Sequence, residues 1–178
     1  MRQLAFLAAS LGMCVTLAAQ QPTVQDANKA VARSFFGQVL DQGQLNLYPD
    51  SHATSFIAHG ANGDYTLADD IAAAKEERAA MPDMHVKVNE MIAERDLVSV
   101  FCTASGTNTH EGMGFPATGK HITVNGMTLF RFRDGKIVEE WSVYDMLSAM
   151  RQAGLLPANQ QVCDAIRPRL QSGRAAEP

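Results

Sequence analysis

Hydrophobic residues are spaced in two ways along the chain, about four apart in the N-terminal half and two apart in the C-terminal half. Between Thr23 and Gly43 the four-residue spacing predicts one amphipathic helix. Its apolar positions include Ala27, Val31, Phe35 and Val39. Thr66 and Asp69 have the spacing of a helix N-cap and its third residue, so a second helix is predicted from there to Pro82.

From residue 86 the alternating pattern predicts four successive strands and a final short helix over Met146–Gln152. The predicted strands cover residues 86–92, 97–107, 121–132 and 136–145. Residues 44–63 show no regular spacing and are expected to be irregular, with a short helix at most. Helices followed by an antiparallel meander predict an α+β domain with its helices on one face of the sheet. They exclude a parallel nucleotide-binding sheet.

The first twenty residues predict a secretory signal peptide. Arg2 precedes an uncharged, apolar stretch from Leu4 to Ala19, and small and polar residues follow. The stretch is shorter than the ~20 residues of a membrane span. We expect residues 1–20 to be removed and the protein to be secreted or periplasmic, without membrane attachment; an uncleaved anchor is the alternative. The domain is expected over residues 23–157, followed by a flexible C-terminal tail over residues 158–178.

Composition and charge narrow the function classes. The 178 residues are 46% hydrophobic and 19% charged, as in one globular domain. A net charge of -4 without a basic run disfavours a nucleic-acid partner. The cysteines at positions 14, 102 and 163 and the histidines lack metal-ligand spacing, so no metal site is expected. Cys102 is expected to pack in the core, and the charged run from Lys75 to Arg78 to face solvent.

The Asp134-Gly135 pair predicts a two-residue hairpin loop, which sets the register of the last two strands. Continuous pairing then puts Thr128 opposite Trp141 and points Trp141 and Asp145 toward the helices. A carboxyl group in such apolar surroundings tends to have a raised pKa, which suits it to proton transfer. The alternative is that Asp145 caps the helix that begins at the next residue.

Several short motifs occur in order between about Asp26 and Pro157. They include Met81-Pro82-Asp83, Gly114-Phe115-Pro116-Ala117-Thr118-Gly119-Lys120, Phe130-Arg131-Phe132, Asp134-Gly135-Lys136-Ile137-Val138-Glu139-Glu140-Trp141, Asp145 and Gln152-Ala153-Gly154-Leu155-Leu156-Pro157. This ordered set resembles the SnoaL-like polyketide cyclases, or ester cyclases, of the nuclear transport factor 2-like superfamily. The resemblance implies a cone-shaped, curved antiparallel sheet wrapped around N-terminal helices, a nuclear transport factor 2-like or cystatin-like fold, with a deep apolar pocket.

The resemblance also implies a site and a chemistry. It implies cofactor-independent acid/base chemistry, such as an aldol-type cyclisation of a small apolar carbonyl compound in polyketide metabolism, with Asp145 and His59 as catalytic residues. The expected substrate-binding residues are Trp141, Phe130, Thr128 and Phe56. A homodimer formed through the open sheet face is a further expectation from the family. The alternative is a non-catalytic small-molecule binding protein, favoured by Phe101 where many relatives have arginine.

Overall fold

The computed structural model describes residues 23–60, 63–112 and 114–157. The predicted signal peptide and the predicted C-terminal tail lie outside these residues. Among the described residues, no helix is both long enough and apolar enough to cross a membrane.

The three helices predicted with defined starts begin where the sequence predicts them. Helix α1 spans Val24–Ser34 and continues as a π-helical segment, Phe35–Asp41. A 3₁₀ turn, Leu45–Leu47, leads into the single-turn helix α2, Tyr48–Ser51. Helix α3 spans Leu67–Ala80 and α4 spans Met146–Gln152. Both predicted N-caps are confirmed, since the Thr23 and Thr66 hydroxyls accept hydrogen bonds from the third residue of α1 and of α3.

The sheet has six strands rather than the four predicted. They are β1 His52–Gly60, β2 Gly63–Thr66, β3 His85–Glu94, β4 Leu97–Thr107, β5 His121–Arg133 and β6 Lys136–Tyr144. The spatial order is β2-β1-β6-β5-β4-β3, and β1 runs parallel to β6 while the other neighbours are antiparallel. The segment expected to be irregular therefore supplies two strands. The parallel pairing of β1 with β6 involves no connecting hairpin, so no turn signal in the sequence predicts it.

The core lies between the inner face of the sheet and the first helix with its π-helical extension. Its fully or nearly fully buried members include Ala32, Phe35, Phe36, Val39, Val98, Val100, Cys102, Phe130 and Ile137. Cys102 is buried, as predicted. This arrangement of helices on one face of a curved sheet confirms the predicted α+β class.

Arg78 fixes α3 across the open side of the sheet. Its guanidinium donates to the carbonyl oxygens of Leu40, Asp41 and Met84. Arg78 and its neighbour Glu77 are half-buried, so the prediction that the charged run faces solvent is wrong at these two positions. The rigid attachment of α3 matters because this helix forms one wall of the cavity described next.

Candidate active site

The pairing of β5 with β6 starts in the predicted register and then shifts by one residue. Phe132 pairs with Ile137 as predicted, but Arg131 pairs with Glu139, which leaves Val138 as an extra residue in β6. Ile137 and Val138 are both buried, which is the signature of a β-bulge in an otherwise alternating strand. Because side chains alternate with period two, a one-residue shift reverses the face of every later residue in β6.

The bulge turns Glu140, Ser142 and Tyr144 toward the helices. Thr128 pairs with Ser142 instead of Trp141, and all four inward residues line a cavity. The predicted inward orientation of Trp141 is therefore wrong. Its ring lies on the outer side of the sheet, stacked on His59 at 4.7 Å between ring centroids.

The cavity has a volume of about 330 Å³ and lies between helices α3 and α4 and the inner face of the sheet. Most of its lining is apolar, including Phe36, Phe115, Ile122, Val124, Phe130, Met146, Met150 and Leu155. The polar lining residues include Tyr48, Asp70, Glu77, Asn108, Thr128, Glu140, Ser142 and Tyr144. An apolar space with a few convergent polar groups is the usual form of a small-molecule site.

Glu140 is the carboxyl group best suited to proton transfer. The Ser142 hydroxyl donates a 2.5 Å hydrogen bond to Glu140 Oε1, and Ser142 Oγ also lies 2.8 Å from Thr128 Oγ1. Burial, together with the negative charge of nearby Asp70, raises the pKa of Glu140 to about 7, although the hydrogen bond from Ser142 works in the opposite direction. Near neutral pH, Glu140 therefore exists both with and without its proton.

Two further carboxyl groups come from α3. Burial raises the pKa of Asp70, while a hydrogen bond from the Tyr48 hydroxyl works in the opposite direction. Burial also raises the pKa of Tyr48, so its hydroxyl keeps its proton and serves as a donor. Glu77 lies seven residues after Asp70, on the same face of α3, and burial raises its pKa as well.

His52 approaches the same carboxyl groups from the core. Its Nδ1 lies 2.9 Å from Ser51 Oγ and 3.3 Å from the Tyr48 carbonyl oxygen, which can only accept. Burial lowers the pKa of His52 to about 4, so the ring is neutral, with its proton on Nδ1 and a free lone pair on Nε2.

One atom from each of His52, Asp70 and Glu140 lies within 4.8 Å of the other two. A nitrogen and two carboxylate oxygens this close can share one positive charge, which a proton, an ammonium group or a metal ion can supply.

Tyr144 closes over β5 because Gly126 has no side chain. A Cβ atom on Gly126 would lie 2.3 Å from the Tyr144 ring, far inside van der Waals contact. The phenol oxygen lies 3.9 Å from Cys102 Sγ, and burial raises the pKa of Tyr144. The aromatic ring thus forms part of the cavity wall and its hydroxyl remains a donor.

Asp145 has the alternative role considered in the sequence analysis. It is the N-cap of α4, its Oδ1 accepts a 2.9 Å hydrogen bond from the Ser148 backbone N–H, and the residue is exposed. Its predicted orientation into the apolar hollow is wrong, because the bulge at Val138 changes the register on which that orientation depended.

The other predicted site residues divide between the cavity and its surroundings. Phe130 and Thr128 line the cavity. Phe56 packs in the core against the His52 ring, with 4.7 Å between ring centroids. His59 lies on the outer side of the sheet, where its Nδ1 is 2.8 Å from Asp64 Oδ1. Of the described residues that line the cavity, none is His59, Trp141 or Phe56.

The sequence analysis missed Glu140, Asp70 and Glu77. The adjacent Ile137 and Val138 are a signal that could have revealed the bulge, because an alternating strand would have exposed one of these apolar residues. With that correction the alternation places Glu140 inward. Asp70 and Glu77 carried no such signal, since charged residues on a helix usually face solvent.

Solved structures of bacterial proteins share this fold. AclR, a proposed hydroxylase from Streptomyces galilaeus, aligns with a TM-score of 0.69 at 25% identity over 75% of this chain and 99% of AclR. IdmH, a proposed polyketide cyclase from Streptomyces antibioticus, aligns with a TM-score of 0.63 at 25% identity over 71% of this chain and 98% of IdmH. A proposed SnoaL-like polyketide cyclase from Jannaschia sp. CCS1 has a TM-score of 0.69 at 21% identity, over 79% of this chain and 100% of that protein. Among curated proteins, none matches this sequence significantly.

The curved sheet, its helices and the apolar cavity define a protein of nuclear transport factor 2-like fold. The family model for SnoaL-like polyketide cyclases matches residues 30–153, which is most of the chain. The protein therefore belongs to the SnoaL-like polyketide cyclase family, as the motif resemblance predicted.

Proposed function

We propose that this protein is a cyclase-type enzyme that carries out acid/base chemistry on a small, largely apolar carbonyl compound, with Glu140 as the proton carrier. The observation that carries this proposal is the position of the Glu140 carboxyl group in the wall of an apolar cavity, where burial raises its pKa to about 7. A general base is most effective when its pKa lies near the working pH. This assignment replaces Asp145, whose carboxylate caps α4.

In the proposed reaction, the Glu140 carboxylate removes a proton from the carbon next to a carbonyl group. The resulting enolate attacks a second carbonyl carbon of the same molecule, forming one carbon–carbon bond, and the new alkoxide oxygen takes the proton back from Glu140. The proton count balances and the carboxylate is regenerated. Thr128 and Tyr144 supply hydroxyl groups in the cavity for the developing negative charge.

The apolar walls contribute by excluding water and holding the reacting groups close together. Phe115, Phe130 and Met150 are among the residues that would contact the body of the substrate.

The first test is hydrogen–deuterium exchange at the carbon next to the carbonyl group of 2-tetralone, an apolar bicyclic ketone, followed by NMR in D₂O. This probe reports proton removal without requiring the natural substrate. We expect the wild-type protein to accelerate exchange and Glu140→Gln to lower the acceleration by about 100-fold or more. Asp145→Asn is the matched control, because asparagine preserves the helix cap.

Circular dichroism should first show that both variants are folded. Glu140 is not the proton carrier if the Glu140→Gln variant accelerates exchange as much as the wild type does. The same conclusion follows if only the Asp145→Asn variant loses the acceleration.

The rate of this exchange should also depend on pH. Because the base must be ionised, we expect the rate to rise with pH through about 7 and then to level off. The titratable groups near Glu140 are Asp70 and Glu77 from α3, Tyr48 from α2, His52 from β1 and Tyr144 from β6. A rate that does not change between pH 5 and 9 would contradict the assignment.

The alternative function is a non-catalytic binding protein that uses the same cavity. It is supported by the predominantly apolar lining. Calorimetry with 2-tetralone separates the two, because binding without any acceleration of exchange would favour the binding protein.

We also propose export, on the basis of the N-terminal sequence pattern. Expression of the full chain in a Gram-negative host should yield periplasmic protein that begins near Gln20 or Gln21. Mass spectrometry of the periplasmic fraction tests this, and a full-length mass in the cytoplasmic fraction alone would contradict it.

A further inference from the structure

The charges in the cavity are all of one sign. Its described lining residues include the carboxyl groups of Asp70, Glu77 and Glu140 but no lysine or arginine. Such a cavity repels a ligand with its own carboxylate and favours a neutral or positively charged one.

His52 contributes an unsatisfied hydrogen-bond acceptor, its Nε2 atom, close to two of these carboxyl groups, those of Asp70 and Glu140. The residue is only 3% exposed, and its Nε2 atom is buried without a hydrogen-bond partner. Nδ1 is already engaged by Ser51 and the Tyr48 carbonyl, so Nε2 is the nitrogen available toward Asp70 and Glu140. A buried polar atom without a partner is costly unless a bound group satisfies it.

The nearby protein donors are already in use. The Tyr48 hydroxyl donates to Asp70, and the Ser142 hydroxyl donates to Glu140. When Asp70 and Glu140 are ionised, the cluster therefore presents three acceptors and has no free donor of its own to satisfy them. A primary ammonium group has the complementary chemistry, with three N–H donors, no acceptor and a positive charge.

We propose that the ligand of this cavity carries a primary amine, whose ammonium group is bound by His52 Nε2 and the carboxylates of Asp70 and Glu140. The apolar body of the ligand then lies against the apolar lining, which includes Phe115, Ile122 and Phe130. This inference rests on the proposed function, because it assigns a substrate class to the same cavity.

The test compares three probes with the same apolar body: 1-naphthylmethylamine, 1-naphthalenemethanol and 1-naphthoate. Isothermal titration calorimetry on the whole protein at pH 7.5 gives the affinity of each. We expect the amine to bind about tenfold or more tightly than the alcohol, since charge-assisted hydrogen bonds are roughly twice as strong as neutral ones. The carboxylate should bind most weakly.

Variants locate the binding site within the cavity. We expect Asp70→Asn and Glu140→Gln each to weaken amine binding by about tenfold or more and to change alcohol binding little. Glu77→Gln is the matched control, because it removes a carboxylate from the same wall but outside the three-residue cluster; we expect less than about a threefold effect. His52→Phe keeps an aromatic ring and removes Nε2, and it should weaken amine binding in the same way.

Equal affinities for amine and alcohol would overturn the proposal. An effect of Glu77→Gln as large as those of the other acidic variants would also overturn it, since it would indicate a general negative potential instead of a three-acceptor site. If His52→Phe fails to fold, the Asp70 and Glu140 variants decide. None of these measurements needs turnover, so amine binding without α-proton exchange would refute the proposed function and leave this inference intact.

Discussion

At the scale of the residue, Glu140 should make the protein less stable as the pH rises. Burial raises its folded-state pKa from 4.5 to about 7, so between these values the folded chain binds more protons than the unfolded chain. The free energy of unfolding therefore falls as the pH increases from about 4.5 to 7 through this group. Above pH 7, Glu140 is charged in the folded protein, and its destabilising effect on the free energy of unfolding is greatest.

Glu140→Gln removes this charge. We expect the variant to have a higher melting temperature than the wild type at pH 8, and a smaller advantage at pH 5, where Glu140 is already protonated. Asp70 and Glu77, whose pKa values are also raised by burial, are present in both proteins. Thermal unfolding followed by circular dichroism measures the difference, and an advantage that is greater at pH 5 than at pH 8 would contradict the prediction.

Asp145 should contribute to stability through its cap. Asp145→Ala leaves the Ser148 backbone N–H without its acceptor, and we expect a loss of about 1 kcal/mol in the free energy of unfolding. Asp145→Asn should retain most of the stability, because asparagine is an equally good N-cap. Urea unfolding of both variants provides the measurement; equal losses in the two would argue against capping.

At the scale of the element, the bulge in β6 decides which side chains reach the cavity. Deleting Val138 would restore continuous pairing and keep Glu140 opposite Phe130 on the inner face, because the pairs on both sides of the bulge stay the same. We expect this deletion to lower the free energy of unfolding by about 2 kcal/mol, through loss of the buried Val138 side chain, and to leave the proposed proton-exchange activity in place.

Val138→Ala is the matched control, since it keeps the extra residue and loses only two buried carbon groups, at a cost of about 2 kcal/mol. Urea unfolding compares the two proteins. A deletion variant that loses the exchange activity, or that is far less stable than Val138→Ala, would show that β6 does not keep its register without the extra residue.

The elements differ in how well the sequence predicts them. Thr23 and Thr66 predict the starts of their helices, because a cap interacts with residues within one helical turn. Asp134-Gly135 predicts a hairpin, because the loop is formed by these two residues alone. Strand β1 pairs in parallel with β6, which lies more than 70 residues later in the chain, so no local residue pattern predicts that pairing.

The site was harder to predict than the fold. Two cavity residues, Thr128 and Phe130, follow from the pattern of β5, whose alternation continues through the region that contains them. Glu140 could not be assigned from alternation alone, because one extra residue reverses the result for all later positions. Asp70 and Glu77 depend on where α3 packs, and their charge suggested the opposite face.

At the scale of the whole molecule, the outer face of the sheet has its own apolar row. Phe101, Met127 and Val143 are neighbours on β4, β5 and β6, and all three are exposed. We propose that two copies of the chain associate through this face, as the family resemblance implies.

Val143→Lys should convert such a dimer to a monomer, because it places a charge in the apolar row. Val24→Lys is the matched control, since Val24 on α1 is also 69% exposed but lies away from the sheet. Light scattering after size-exclusion chromatography gives the masses; a wild-type monomer, or equal behaviour of both variants, would contradict the proposal.

The contact between Gly126 and the Tyr144 ring separates two properties of the molecule that are often linked. The size of ligand that the cavity can accept depends on how closely the Tyr144 ring packs on β5. This close packing is possible because residue 126 has only a hydrogen atom where other residues carry a side chain. The proposed proton chemistry depends on a different residue, Glu140, on the strand next to that of Gly126. Selection can therefore alter which guests fit by exchanging residue 126 while leaving the reactive carboxyl group where it is.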